Sequence, residues 1–249
     1  MKQPYIRKYQ TIAGFDVWIV NGAYIRENID DDFTNYSHHY KFNFIPENEL
    51  WIDKNSKEGE IPFYIDSMIY LIQSVKSGKT YEESIKISDK VEKRERAKDK
   101  LMRNFYRHKK QDVMHLIHKK LLKNYSKKIN IWVVNGEAVR DLFFLDFTEG
   151  GHDKVYPFIP RNEIWIDDDV SPKERDLILL HEVVERNLMC HGWQYDPADN
   201  RSLIKKVDKS LKIYKSAHQR ALEVEHFCHK HTKRLKPTLV KEINKLKII

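Results

Sequence analysis

Two stretches of the chain carry the same order of apolar and polar positions. Ile131-Trp132-Val133-Val134-Asn135-Gly136-Glu137-Ala138-Val139 is a β-branched and aromatic run broken by Asn-Gly, and Val17-Trp18-Ile19-Val20-Asn21-Gly22 matches its opening upstream. Asn-Gly between such runs is a strong signal for a tight turn, so each copy is expected to begin with a hairpin. In the second copy a third extended run is expected over Val155–Ile159 and a fourth over Glu163–Ile166. Apolar residues then change to helical spacing from about Lys173 to Met189. The order predicts an α+β fold, in two tandem copies of a small antiparallel or mixed sheet followed by helices.

Setting Val17–Asp53 against Ile131–Asp167 without a gap gives identity at 17 of 37 positions, among them Trp18/Trp132, Arg26/Arg140 and Asp32/Asp146. FIPENELWID from Phe44 answers FIPRNEIWID from Phe158. An internal repeat of this quality decides the architecture before any single motif does. The expected division is an N-terminal unit over 1–96, a basic connecting helix over 97–128, and a C-terminal unit over 129–249. The connecting helix is read from Leu101, Phe105, Val113, Ile117 and Leu121, spaced among Lys and Arg.

A chain of 249 residues has room for two such units, each with its own core. With 41% hydrophobic, 12% aromatic and 33% charged residues it is too apolar and aromatic for a disordered chain. Much of the formal charge of +8 sits in Lys93–Lys128 and Lys230–Lys247, which suits nucleic acid or an acidic partner surface, although a solvated face on a connecting helix is the preferred reading of the first segment. No apolar run is long enough to span a membrane and no secretory signal opens the chain, so a cytoplasmic protein without membrane partners is expected. Cys190 and Cys228 are then plain thiols.

The second copy carries chemistry that the first lacks. In LILLHEVVERNLM, His181 and Glu185 are one helical turn apart on one face, with Glu182 at its edge. This resembles the HExxH arrangement of two metal ligands and a general base, with Glu185 in place of the second His, and carboxylate is an acceptable zinc ligand. His218 is the expected third ligand, and Glu225, on the same helical face, is an alternative ligand or an acceptor that fixes an imidazole tautomer. In the first copy, a one-residue gap sets Asp66, Ser67 and Tyr70 against His181, Glu182 and Glu185, and Ile85 stands opposite His218. His152 has a counterpart in His38. The tract His226, Cys228, His229, His231 lacks a second cluster to complete a tetrahedral set and reads as a solvated helix end.

With GGH, FIPRNEIWID, LLHEVVERNLM and AHQRALEVE as matching stretches, Ile129–Lys230 resembles zincin-like metallopeptidase domains encoded by phages and mobile elements, in an HExxE variant. The resemblance implies zinc on His181, Glu185 and His218, with Glu182 as general base and a peptide or protein as substrate. It also implies an edge strand ahead of the metal helix, able to pair with an extended substrate. His152 would be a substrate contact, an outer-shell group or an alternative ligand. The first copy would be an inactive pseudoenzyme domain. Two other readings stay open. One is a Mg or Mn site on Glu182, Glu185 and Glu225, as in helical nucleotide pyrophosphohydrolases that use ExxE. The other is a non-enzymatic module that binds nucleic acid or an acidic partner.

Overall fold

The β-branched runs form the inner strands of two sheets in the computed structural model, which describes residues 3–30, 32–98, 113–195 and 216–249. In the first sheet β1 (Tyr5–Ile12), β2 (Phe15–Val20), β3 (Tyr36–His38) and β4 (Glu49–Asp53) lie in the order β1-β2-β4-β3. β2 and β4 are parallel, while β1 and β3 run antiparallel to their neighbours. In the second sheet β5 (His118–Leu121), β6 (Asn130–Val134), β7 (Gly150–His152) and β8 (Glu163–Asp167) lie in the order β5-β6-β8-β7, with the same directions. Register repeats as well: Trp18 is opposite Trp51 and Trp132 opposite Trp165. The described residues therefore form an α+β structure with two four-stranded mixed sheets.

Among the described residues the helices are α1 (Gly22–Asn28), α2 (Ile61–Lys76), α3 (Tyr81–Arg96), α4 (Met114–Ile117), α5 (Gly136–Leu142), α6 (Arg175–Met189), α7 (Ala217–Lys230) and α8 (Thr232–Lys245). None is long and apolar enough to cross a membrane. The residues group into two compact units, Met1–Asp112 with Glu137–Thr148, and Val113–Gly136 with Glu149–Ile249. This division differs from the boundaries at 96 and 128 read from the sequence.

The Asn-Gly pairs do not make hairpin turns. Asn21 caps α1, its side-chain oxygen accepting from the Tyr24 amide at 3.4 Å, and Gly22 opens the helix. Gly136 opens α5 in the same way. Asn is as good an N-cap as it is a turn residue, and the helix-forming residues after the glycine decide between the two. Glycine is required because a Cβ would lie 1.9 Å from the Asp53 carboxylate at Gly22 and 2.1 Å from that of Asp167 at Gly136. The β1–β2 hairpin closes instead at Ala13 and Gly14, whose φ of 50° and 83° suit a two-residue turn.

Two further expectations are corrected. Val155–Ile159 is a chain of turns, with the Val155 and Tyr156 amides both bonded to the His152 carbonyl at 3.1 Å. Its apolar residues Val155, Tyr156 and Ile159 are buried for packing rather than strand pairing, and the third strand is Gly150–His152. Of the helix expected over 97–128, Leu101 and Phe105 lie outside the described residues. α4 is a single turn, and His118–Leu121 then forms the edge strand β5, with Lys119 and Lys120 exposed. Lysines on an edge discourage pairing with another chain, and Lys119 and Lys120 fit that place.

In the first unit Val17, Ile19, Leu50 and Ile52 pack one sheet face against Ile65 and Met68 of α2. The other face carries Val20 and Trp51, packed with Ile25 and Phe33. In the second unit Ile131, Ile164 and Ile166 pack against Leu179 and Val183 of α6. α6 is buried without a break from Leu177 to Asn187, including five polar side chains, each of which needs a partner to offset desolvation. Arg186 bonds both oxygens of Asp153, at 2.6 and 3.2 Å, and the Lys247 carbonyl at 3.0 Å. Asn187 donates to the Glu242 carbonyl at 2.9 Å. His181 and Glu185 have partners of their own, Glu225, His218 and His152.

Candidate metal centre

α6 presents His181 and Glu185 to the start of α7, and that start is fixed by several bonds. Ser216 caps α7 by accepting from the Gln219 amide at 3.1 Å, and its hydroxyl donates to the Tyr195 carbonyl at 3.0 Å. The amides of Ala217 and His218 bond the carbonyls of Gln194 and Tyr195 at 2.8 and 3.1 Å. His218 is thereby held over the face of α6.

Three donor atoms meet there. His181 Nε2 lies 3.2 Å from His218 Nδ1, His218 Nδ1 lies 2.9 Å from Glu185 Oε2, and that oxygen lies 3.5 Å from His181 Nε2. A single proton can satisfy only one edge of such a triangle, whereas a cation satisfies all three corners. Ligands around a tetrahedral zinc at about 2.0–2.2 Å are separated by about 3.3–3.6 Å, close to these edges. On its far side His181 Nδ1 is 2.9 Å from Glu225 Oε2. That carboxylate holds the proton on Nδ1 and, in the neutral ring, leaves the Nε2 lone pair facing the triangle, as a carboxylate behind a metal-binding imidazole does. Glu225 is thus outside the donor set, and Glu223 is exposed and paired with Arg220.

Glu185 is bonded at both oxygens. Its Oε1 is 2.9 Å from His152 Nε2, and Oε2 faces the two imidazoles. Burial opposes its charge, but the hydrogen bonds from His152, His181 and His218 hold its carboxyl well below the ordinary range. Burial likewise opposes a charged His181, yet the bonds to Glu185 and Glu225 hold it well above its ordinary value. Glu182 has no such donor set; burial, reinforced by the nearby Glu185 charge, pushes its carboxyl well up. Its position depends on Gly150, where a Cβ would lie 3.0 Å from Glu182 Oε1 and 3.1 Å from the Trp165 carbonyl. β7 is an edge strand of its sheet, but it is three residues long and fully buried, so it offers little backbone to an extended partner.

The first unit has the same strand order with other residues at these positions. The N-caps Glu60 and Glu174 are in the ungapped register, so Ser67, Met68 and Leu71 stand where α6 carries His181, Glu182 and Glu185. The one-residue gap is therefore a misreading, and Asp66 and Tyr70 are exposed on the outer side of α2. Ser67 Oγ is 2.6 Å from Ser88 Oγ, a neutral pair in place of charged groups. At the position of Gly150 stands Tyr36, stacked on Tyr64 at 4.2 Å. In the second unit the space beside the glycine is taken by the Glu182 side chain. The contrast of Tyr36-Ser37 with Gly150-Gly151 in the aligned sequences is the signal of this difference.

Other donor groups are satisfied without an ion. The carboxylates of Asp167–Asp169 form a third cluster, but Asp167 accepts the Asp169 amide at 2.9 Å, and Asp168 accepts the Gly136 amide at 3.1 Å and pairs with Lys119. Cys228 is buried in the core, Cys190 is half-buried, and His226 and His231 are exposed, as expected of a helix end. Comparison with protein-family models, curated proteins and solved structures gives no significant match for this chain.

Proposed function

We propose that the chain is a zinc-dependent hydrolase of metallopeptidase type, built from a duplicated unit whose first copy holds no metal. The observation that carries this reading is the triangle of His181 Nε2, His218 Nδ1 and Glu185 Oε2, backed by Glu225 on one imidazole. These three residues would hold the ion. Two imidazoles and one carboxylate suit zinc, whereas magnesium prefers an all-oxygen set, which disfavours the pyrophosphohydrolase reading. The duplication is supported by 17 identities in 37 aligned positions and by the repeated strand order and register.

Bound zinc supplies Lewis acidity and brings the ionisation of water close to neutral pH. The rest of the chemistry belongs to the protein. Glu182, whose donor atom belongs with those of His152 and Glu185 but not to the triangle, takes a proton from the attacking water and passes it to the leaving amine. Glu225 keeps His181 in one tautomer. His218, with 27% of its side chain exposed, lies on the side from which a substrate enters.

The test is hydrolysis of a mixture of unstructured peptides, read by mass spectrometry. Cleavage is expected with zinc present, lost on adding a strong chelator and restored by zinc. A protein that binds zinc stoichiometrically and leaves every peptide intact would remove the metallopeptidase reading and favour a binding module.

A further inference from the structure

Glu185 sits between two groups of donors. One is the triangle with His181 and His218; the other is His152, Glu182 and Glu185, whose donor atoms also lie within 4.8 Å of one another. Two arrangements fit this proximity. Either Glu185 bridges two cations, with His152 as a ligand of the second, or there is one cation and His152 holds the carboxylate from behind.

The backbone decides between them. The Lys154 amide donates to His152 Nδ1 at 3.2 Å. A ring nitrogen that accepts an N–H carries no proton, so the proton of this neutral imidazole is on Nε2, the atom 2.9 Å from Glu185 Oε1. Ligation through Nε2 would need the opposite tautomer, with Nδ1–H facing the Lys154 N–H. That amide cannot easily turn away, because the next two amides, of Val155 and Tyr156, are both tied to the His152 carbonyl at 3.1 Å.

We propose that His152 is a positioning residue and not a ligand: its Nε2–H binds Glu185 Oε1 and aims Oε2 at His181 and His218, so the site takes one cation. This rests on the zinc reading above. Without the bond the carboxylate is free to turn about its last torsion, and the third corner of the triangle is no longer held in advance. The first unit supports a separation between seat and role. His38 occupies the equivalent seat with Leu71 in place of the carboxylate; burial lowers its pKa to about 4, and its Nδ1 has no partner. The fold therefore accommodates this ring without the bond, and packing must be separated from hydrogen bonding in any test.

The experiment compares wild type, His152→Ala and His152→Gln by zinc titration against a chromogenic chelator, with thermal unfolding as a control for packing. Glutamine retains an N–H near the Nε2 position but is a poor zinc ligand. Wild type should bind one zinc, His152→Ala should bind about 10–100-fold more weakly, and His152→Gln should recover most of that loss. Two zinc ions in wild type with one lost in both variants would overturn the proposal, as would equal affinity in all three or a glutamine variant no better than alanine. Two-bond proton–nitrogen correlations of His152 in the metal-free protein give a second readout. A proton on Nε2 is expected, and a proton on Nδ1 would overturn the assignment whatever the metal content. Wild type that binds no zinc would instead defeat the zinc reading, with the tautomer still measured.

Discussion

Replacing Glu182 by Gln is expected to lower peptide hydrolysis by about a hundred- to ten-thousandfold, the usual range for losing a general base, while zinc content stays at the wild-type level. The amide keeps the shape of the side chain beside Gly150, where the clearance to a Cβ is 3.0 Å, so the packing of β7 against α6 is retained. It cannot accept a proton. Glu182 also supplies none of the three triangle atoms, so metal affinity does not depend on it. Steady-state cleavage rates and zinc content measured on the same preparation check both halves. Loss of zinc together with activity would make Glu182 a ligand, and full activity would exclude it from the chemistry.

The largest effect on stability is expected in the first unit, from Glu60→Ala. Glu60 is fully buried and accepts from Arg96 at 3.1 Å and from Arg140 Nε at 2.7 Å, with a second bond to Arg140 Nη2. Arg96 in turn binds Glu92 and Asp141, each at 2.9 Å. Removing Glu60 leaves two guanidinium groups buried with too few acceptors, which costs about 3–5 kcal/mol for a buried pair of this kind. Burial works against the Glu60 charge, but Arg140 and Arg96 hold its carboxyl below the ordinary value of 4.5. A depressed folded value means that this contribution is complete above pH 4.5 and is lost as pH falls through the lower, folded value. Denaturant unfolding of wild type and variant at neutral and acidic pH measures it: the gap should be wide at neutral pH and close on acidification. A gap of less than about 1 kcal/mol at neutral pH would mean that neighbouring groups replace Glu60.

Much of this architecture was legible because it lies in short-range pattern. The ungapped match of Val17–Asp53 with Ile131–Asp167 carried the likeness of the two sheets, in which Trp18 and Trp132 hold matching register, but not their strand order or the parallel pairing at their centres. The spacing of His181 and Glu185 is a property of any helix and survived folding. Features set by tertiary contacts were not legible. Asn21-Gly22 has the composition of a turn, the residues after it turn it into a helix start, and the Asp53 carboxylate beside Gly22 shows why glycine is needed there. Apolar content in Val155–Ile159 suggested a strand, yet the His152 carbonyl draws the following amides into turns. In the first unit a gap favours polar matches at Asp66 and Tyr70, whereas the burial of Ser67, Met68 and Leu71 supports the ungapped register. The role of His152 depends on a backbone amide, which no side-chain motif encodes.

The second unit is proposed to hold one zinc ion on His181, Glu185 and His218. Elemental mass spectrometry of protein purified without chelators and titrated with zinc tests it most directly, with His218→Ala in parallel because that side chain is partly exposed and its loss should spare the fold. The account predicts about one zinc per wild-type chain, with four-coordinate binding through three protein ligands, and a marked loss in the variant at unchanged thermal stability of the metal-free form. Wild-type protein that takes up no zinc, or a His218→Ala variant that retains a full equivalent, would contradict it.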